Sequence, residues 1–280
     1  MKILITGITG FLGFKLSEKL KKTNEIYGLL GPSGKTILSP EVELYEYDKI
    51  DTIIGQPDVV VMCHAAIESG NEKINGDKLY FSNVKFTKQV AELFPNSFIL
   101  YISSTSVYGK NMDVITEFTS VNPESQYAIS KLWGEKIVNA YENYAILRLS
   151  SLYGKGMKEN TIIPQYVQQA ILNNQINVWG SGNRLQNYLN VNEAISYIER
   201  IIHHRSNGVH LGVSRNELSN IELAQLIKSI TNSDIIFTGQ DESASTRFNN
   251  IITKQKLEEI KEINLFDGIN EYIKWKKEQS

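Results

Sequence analysis

The chain has 280 residues, 41% of them hydrophobic, and 29 Lys and Arg against 31 Asp and Glu leave a formal net charge of -2. That balance offers no basic surface for nucleic acid or an anionic membrane, and the length suffices to bury a core in one large domain or two closely packed ones. The only cysteine, Cys63, excludes an internal disulfide and suits a reducing cytoplasm, and no apolar run approaches the length of a membrane span.

Met1-Lys2-Ile3-Leu4-Ile5 reads as a buried strand that runs straight into Thr6-Gly7-Ile8-Thr9-Gly10-Phe11-Leu12-Gly13, so no cleaved secretion signal is expected. A helix is predicted next, over 14–21. Glycines in a strand-to-helix turn allow a tight bend, close backbone approach to a pyrophosphate and tight packing of helix on strand. The helix start then turns its free N–H groups toward the phosphates. Gly7, Thr9, Gly10, Phe11, Leu12 and Gly13 are therefore candidate dinucleotide contacts.

Further strands are predicted over 25–30, 42–47, 59–63, 98–102 and 144–149, with amphipathic helices over 81–93 and 127–141. Continuous apolar runs of strand length suit parallel strands covered on both faces. Their alternation with helices predicts an α/β fold, a doubly wound parallel sheet over 1–150. Beyond 151 the pattern changes to helices over 162–172, 191–203, 220–230, 253–261 and 270–276, with short strands over 175–179 and 234–238. Ser219-Asn220-Ile221-Glu222 is a capping box. Residues 151–280 are expected to form a smaller mixed lobe, with 183–205 returning to the first domain.

The second strand ends Leu29-Leu30-Gly31-Pro32-Ser33-Gly34-Lys35, without the acid that commonly binds the ribose hydroxyls of NAD. Ser33 and Lys35 suit a 2′-phosphate instead, so NADP is expected ahead of NAD. Asp48, after the third strand, is a candidate adenine contact.

Tyr101-Ile102-Ser103-Ser104-Thr105-Ser106-Val107-Tyr108-Gly109 places a hydroxyl cluster at the carboxyl end of a central strand, the edge where α/β sheets hold ligands. Tyr127 and Lys131 follow, four residues apart and so on one helix face. An ammonium beside a phenol favours the phenolate, so Lys131 is expected to lower the Tyr127 pKa toward working pH. A strand-end serine can meanwhile hydrogen-bond the reacting oxygen. His64 is expected to be packed or hydrogen-bonded beside the cofactor, and Trp133 and Tyr141 to lie on the core side of their helix. His203 and His204 have no partners at ligand spacing, so no metal site is expected.

Together the glycine loop, Ser104, Tyr127 and Lys131 resemble the extended branch of the short-chain dehydrogenase/reductase superfamily, the nucleotide-sugar epimerases, dehydratases and reductases. The likeness runs over nearly the whole chain. It includes Cys63-His64-Ala65-Ala66, Asn83 in Phe81-Ser82-Asn83-Val84, and Leu147-Arg148-Leu149-Ser150-Ser151-Leu152-Tyr153-Gly154. Val178-Trp179-Gly180-Ser181-Gly182 followed by Tyr188-Leu189-Asn190-Val191 extends it. The resemblance implies a Rossmann-type domain with a smaller substrate lobe. It implies Tyr127 as general acid/base, Lys131 as its tuner and a ribose contact, Ser104 as orienter of the reacting oxygen, and Ala65, Ala66 and Asn83 beside the cofactor. Thr105, Ser151, Arg184 and Arg247 become candidate substrate contacts, and a homodimer through the helices around Asn83 and Tyr127 is expected.

The departures are informative. No carboxylate follows Ser104, which argues against 4,6-dehydration. Gln186-Asn187 replaces the family's Arg-Asp pair, Asn192 replaces an acid, Ser151 replaces an asparagine, and an Arg-Pro-Gly stretch near Asp241 is missing. Losing a bidentate donor weakens a diphosphate clamp. The leading expectation is NADP-dependent reduction of a 4-keto nucleotide sugar in deoxysugar or surface-polysaccharide synthesis. The alternatives are a nucleotide-sugar 4-epimerase with tightly bound NAD and a non-catalytic dinucleotide-sensing protein.

Overall fold

The computed structural model describes residues 1–31, 40–53, 55–67, 75–110, 113–215 and 217–279. Its first half alternates strand and helix: β1 (Lys2–Thr6), α1 (Phe11–Leu20), β2 (Glu25–Leu30), β3 (Val42–Glu46) and β4 (Val59–Met62). Then come α2 (Gly76–Leu79) and α3 (Phe86–Leu93), joined by a π-helical turn over Tyr80–Lys85. β5 (Phe98–Ser104), the short β6 (Val114–Ile115), α4 (Gln126–Val138) and β7 (Tyr144–Leu149) complete this half. The second half holds β8 (Ser151–Tyr153), α5 (Ile162–Asn173), β9 (Gln175–Trp179), β10 (Leu185–Asn190), α6 (Val191–His204) and β11 (Gly208–Gly212). After these run β12 (Glu217–Ser219), α7 (Asn220–Thr231), β13 (Asp234–Thr238), β14 (Arg247–Phe248), α8 (Ile251–Leu257) and α9 (Leu265–Gln279).

Seven parallel strands form the main sheet in the order β11-β7-β5-β4-β1-β2-β3. Val59, Val60, Val61 and Met62 are wholly buried, as expected of a central strand covered on both faces. The period-2 alternation of a strand divides the core. Ile3, Ile5, Val61 and Leu100 pack with α1 and α6 on one side, while Leu4, Val60, Ile99 and Tyr101 pack with α3 and α4 on the other. The strand order reverses between β1 and β4, which opens a crevice at their carboxyl ends, the place where such sheets bind ligands.

β12-β10-β8 and β13-β9 build smaller sheets over a separate core that includes Tyr166, Ile176, Val178, Leu223 and Tyr272. Phe11, the first residue of α1, packs against both this core and the α1–α6 side of the main sheet. The Ser219 capping box is present: Ser219 Oγ accepts from Glu222 N at 3.2 Å and Glu222 Oε2 accepts from Ser219 N at 2.7 Å.

Some elements differ from the sequence expectation. β11 adds an unforeseen seventh strand beside β7; its apolar content is only Val209 and Leu211, and His210 is buried in it, donating from Nε2 to Ser206 O at 2.8 Å. α8 ends at Leu257 rather than 261, where Glu258 takes a left-handed φ of 52°. Trp133 is not core: it is 53% exposed and lies 5.8 Å from the Tyr80 ring, whereas Tyr141 does pack on the core. Among the described residues no helix is long and apolar enough to cross a membrane.

Candidate active site

The glycine loop closes against the end of β4. Gly7 has a φ of 64°, and a Cβ there would sit 2.7 Å from the His64 backbone; one on Gly13 would sit 2.3 Å from Gly7 O. Only glycine satisfies both approaches. Gly10 is exposed and caps α1 without any side chain, so the first-turn N–H groups of Phe11, Leu12 and Gly13 have no side-chain cap. This bare helix start, with half-buried Thr9 beside it, fits the pyrophosphate of a dinucleotide. Further along, Leu30 and Gly31 carry no acid, and a Cβ on Gly31 would meet nothing within 4 Å. Ser33 and Lys35 lie outside the described residues. Asp48 is exposed in the 3-10 turn Tyr47–Thr52 after β3.

Behind the loop stands a chain of hydrogen bonds. Thr87 Oγ1 donates its only proton to Asn83 O at 2.9 Å, so His64 Nε2 must donate to Thr87 Oγ1 at 3.0 Å. His64 Nδ1 then accepts from Thr6 Oγ1 at 2.6 Å, which fixes a neutral Nε2–H imidazole. Burial, with Lys131 nearby, draws the His64 pKa down to about 3. Below its ordinary value the unfolded chain binds a proton that the folded chain refuses. Stability is therefore expected to fall as pH drops from about 6.5 toward 3, by up to about 1.4 kcal/mol per unit from this group. Urea titrations at pH 7 and pH 5 of the wild type and His64→Gln measure it; equal pH slopes would remove His64 from the account.

Asn83 links two parts of the site. From the π-helical turn its Oδ1 accepts from Ala66 N at 2.8 Å, while Nδ2 donates to Ala66 O at 3.0 Å and to Ser130 Oγ at 2.9 Å. The segment carrying Ala65 and Ala66 is thereby pinned to α4. π-turns are concentrated at functional sites, where they re-aim a side chain.

α4 begins at the Ser125 cap, whose Oγ accepts from Ala128 N at 3.1 Å, and this places Tyr127 in its first turn. The Ser104 hydroxyl stands close enough to the Tyr127 phenol to lower its pKa, and Ser104 Oγ accepts from Ser106 N at 3.1 Å. Lys131, one turn on, is 1% exposed with Nζ 4.1 Å from the centroid of the Tyr101 ring. The expected downward pull on Tyr127 is not what this site shows. Burial pushes the phenol up to about 12 against the lowering effect of the Ser104 hydroxyl, and burial draws Lys131 itself down to about 7 despite Glu135. A half-discharged amine over a different ring has little charge to lend the phenol.

On the far side of the crevice the candidate substrate contacts are spread out. Thr105 opens the 3-10 turn Thr105–Tyr108, which holds no carboxylate. Exposed Ser151 pairs in register with Tyr188. Arg184 Nε donates to Ala244 O at 3.4 Å, and exposed Arg247 lies in β14 opposite Val114. Gln186 and Asn187 are committed to the protein: Gln186 donates to Asn220 Oδ1 at 2.7 Å, and Asn187 Oδ1 accepts from Ser150 Oγ at 2.7 Å and Ser214 N at 3.0 Å.

The model of the NAD dependent epimerase/dehydratase family matches residues 3–215. The chain belongs to that family. A Methanocaldococcus jannaschii protein with the provisional name UDP-glucose 4-epimerase is 25% identical over 304 aligned positions, spanning 98% of each chain. The Bacillus cereus UDP-glucuronic acid 4-epimerase, solved with a 4-deoxy-4-fluoro analogue of its UDP-sugar and NAD, superposes with a TM-score of 0.88 at 19% identity over 100% of both chains. The Bacillus anthracis dTDP-glucose 4,6-dehydratase, solved with NAD, gives 0.86 at 20% identity over 100% of this chain and 97% of that one. These last two establish likeness of fold.

Within this epimerase/dehydratase fold, one buried pair escaped the sequence reading. Arg148 of β7 donates from Nε and Nη2 to Glu135 Oε1 and Oε2 of α4 at 2.9 and 2.7 Å, and Ser103 Oγ donates to Oε1 at 2.6 Å. Arg148 also lies over the Tyr108 ring at 4.8 Å. The one available signal was Glu135 standing four residues after Lys131, on the same helix face.

Proposed function

We propose that the protein is an NAD-dependent nucleotide-sugar 4-epimerase, oxidising and re-reducing a ring carbon through Tyr127. The observation that carries this is Tyr127 with Ser104 acting on its phenol, one helical turn from buried Lys131, at the sheet edge that also presents the bare glycine cradle. Gly7, Thr9, Gly10, Phe11, Leu12 and Gly13 would hold the dinucleotide phosphates, Ala65, Ala66 and Asn83 its middle, Asp48 its adenine and Lys131 its ribose. When bound, the nicotinamide supplies the hydride chemistry that no side chain can. As phenolate, after giving up its own proton to solvent, Tyr127 would take the proton from the sugar hydroxyl as its carbon is oxidised and return it when the carbonyl is reduced, while Ser104 orients that oxygen. The carboxylate-free turn after Ser104 offers no second acid or base, so the ketone is returned rather than carried into elimination.

The sugar nucleotide is assigned to the lobe over 151–280, with Thr105, Ser151, Arg184 and Arg247 toward it. The relatives' names and the NAD in their structures support epimerisation. NADP-dependent 4-keto reduction is the second reading, favoured by the acid-free end of β2. Mass spectrometry of co-purified nucleotide and incubation with UDP- and dTDP-hexoses separate the two. Retained NAD with redox-neutral conversion to the C4 epimer is expected. A requirement for stoichiometric NADPH would overturn epimerisation.

The apolar side chains exposed on the π-turn and α4, Tyr80, Phe81, Ile129 and Trp133, support a homodimer through these helices. Trp133→Glu is expected to convert a dimer to a monomer in light scattering, with little change in the monomer's own stability. Unchanged mass would place the interface elsewhere.

A further inference from the structure

We propose that Tyr101 is a positioning residue whose ring face, in place of a carboxylate, holds the Lys131 ammonium in the site. Among the described residues Lys131 makes no ion pair, although its side chain is buried. The acid nearest along the helix, Glu135, has both oxygens engaged by Arg148 and Ser103. What does face the ammonium is the negative π-surface of Tyr101, with Nζ 4.1 Å from the ring centroid, inside the range of a cation–π contact.

The ring cannot turn away. Tyr101 is wholly buried in β5, three residues before Ser104. Its hydroxyl lies against Gly134, three residues after Lys131 on the same helix: a Cβ at 134 would come within 2.2 Å of that oxygen and 2.9 Å of Asn83 O. Gly134 thus lets α4 approach closely enough for the ring to reach along the helix face to the amine. Glu135 raises the Lys131 pKa through space without an ion pair among the described residues, and the other groups around the ammonium supply little negative charge. Cys63 is a thiol pushed up to about 12 by burial, His64 is neutral, and Tyr127 is a protonated phenol. Because burial draws Lys131 to about 7, a modest interaction decides how much of it is charged near neutrality.

The test keeps the ring's size and varies its face. Phenylalanine and its mono-, tri- and pentafluorinated analogues are introduced at position 101 by nonsense suppression. The 15Nζ signal of Lys131, assigned by its loss in Lys131→Met, is then titrated against pH. Tyr101→Phe is expected to leave the midpoint nearly unchanged. Successive fluorination is expected to lower it, to about one unit (tenfold in the protonation constant) for the pentafluoro ring. Melting temperatures of the series control for packing. A midpoint indifferent to fluorination, or one shifted fully by Tyr101→Phe alone, would overturn the proposal. Since the readout is proton binding at Lys131, the result is independent of the reaction assigned above.

Discussion

Tyr127→Phe is expected to lower kcat by about three orders of magnitude, within the range that positioned acid–base groups contribute. Dinucleotide affinity, measured by calorimetry, should change less than about twofold, because the phosphate contacts lie in the glycine loop and not on α4. The melting temperature should barely move: the hydroxyl faces Ser104 in a half-buried position, and small changes of this kind stay near 0.5 kcal/mol. This pairing of effects separates an enzyme from a dinucleotide sensor. An epimerase and a reductase both lose turnover while still binding the dinucleotide. A dinucleotide sensor has no turnover to lose, so wild-type behaviour in every assay would withdraw Tyr127 from catalysis. Ser104→Ala should fall between, because the phenol then keeps its proton but loses the partner that orients it.

How far this site could be read in advance follows from the range of its interactions. The glycine loop is a local feature: strand, turn and helix start are contiguous, and the demands on Gly7 and Gly13 are set within a few residues and by one neighbouring strand. Tyr127 and Lys131 share a helix face by spacing alone, so their juxtaposition was equally legible. The pKa relation between them was not. It depends on burial and on Tyr101, which reaches Lys131 from a strand thirty residues earlier in the chain. Trp133 was misread because an apolar residue on an amphipathic helix looks the same whether the core or open surface awaits it. β11 was missed because His210 and flanking glycines break the apolar run; the β7 pairing and the Ser206 carbonyl that satisfy it are tertiary facts. The expectation of NADP draws on the acid-free end of β2 and on Ser33 and Lys35, the latter two outside the described residues, whereas the solved relatives named above hold NAD.

The second large effect is expected at Glu135 and Arg148, whose side chains are only 4% and 7% exposed. Arg148→Met leaves the Glu135 carboxylate buried with the Ser103 hydroxyl as its remaining direct partner, and Glu135→Gln leaves a guanidinium facing a neutral amide. Breaking a buried pair from one side costs about 3–5 kcal/mol, because the surviving charge has lost both water and partner. For a chain of this size that corresponds to a fall in Tm of roughly 5–9 °C. The double variant Glu135→Leu with Arg148→Met removes both charges, and replacement of such pairs by apolar groups is often near neutral, so most of the loss should return. Urea titrations of the two single variants and the double variant give the coupling directly. Single variants within about 1 kcal/mol of wild type would show that solvent reaches the pair. Function should not follow stability in the double variant. With Glu135 gone, Lys131 loses the acid that raises its pKa, and Ser103, next to Ser104 on β5, loses its acceptor. A double variant that melts like wild type yet turns over about tenfold more slowly at pH 8 than at pH 6, relative to wild type, would place the pair's main effect on the charge of Lys131.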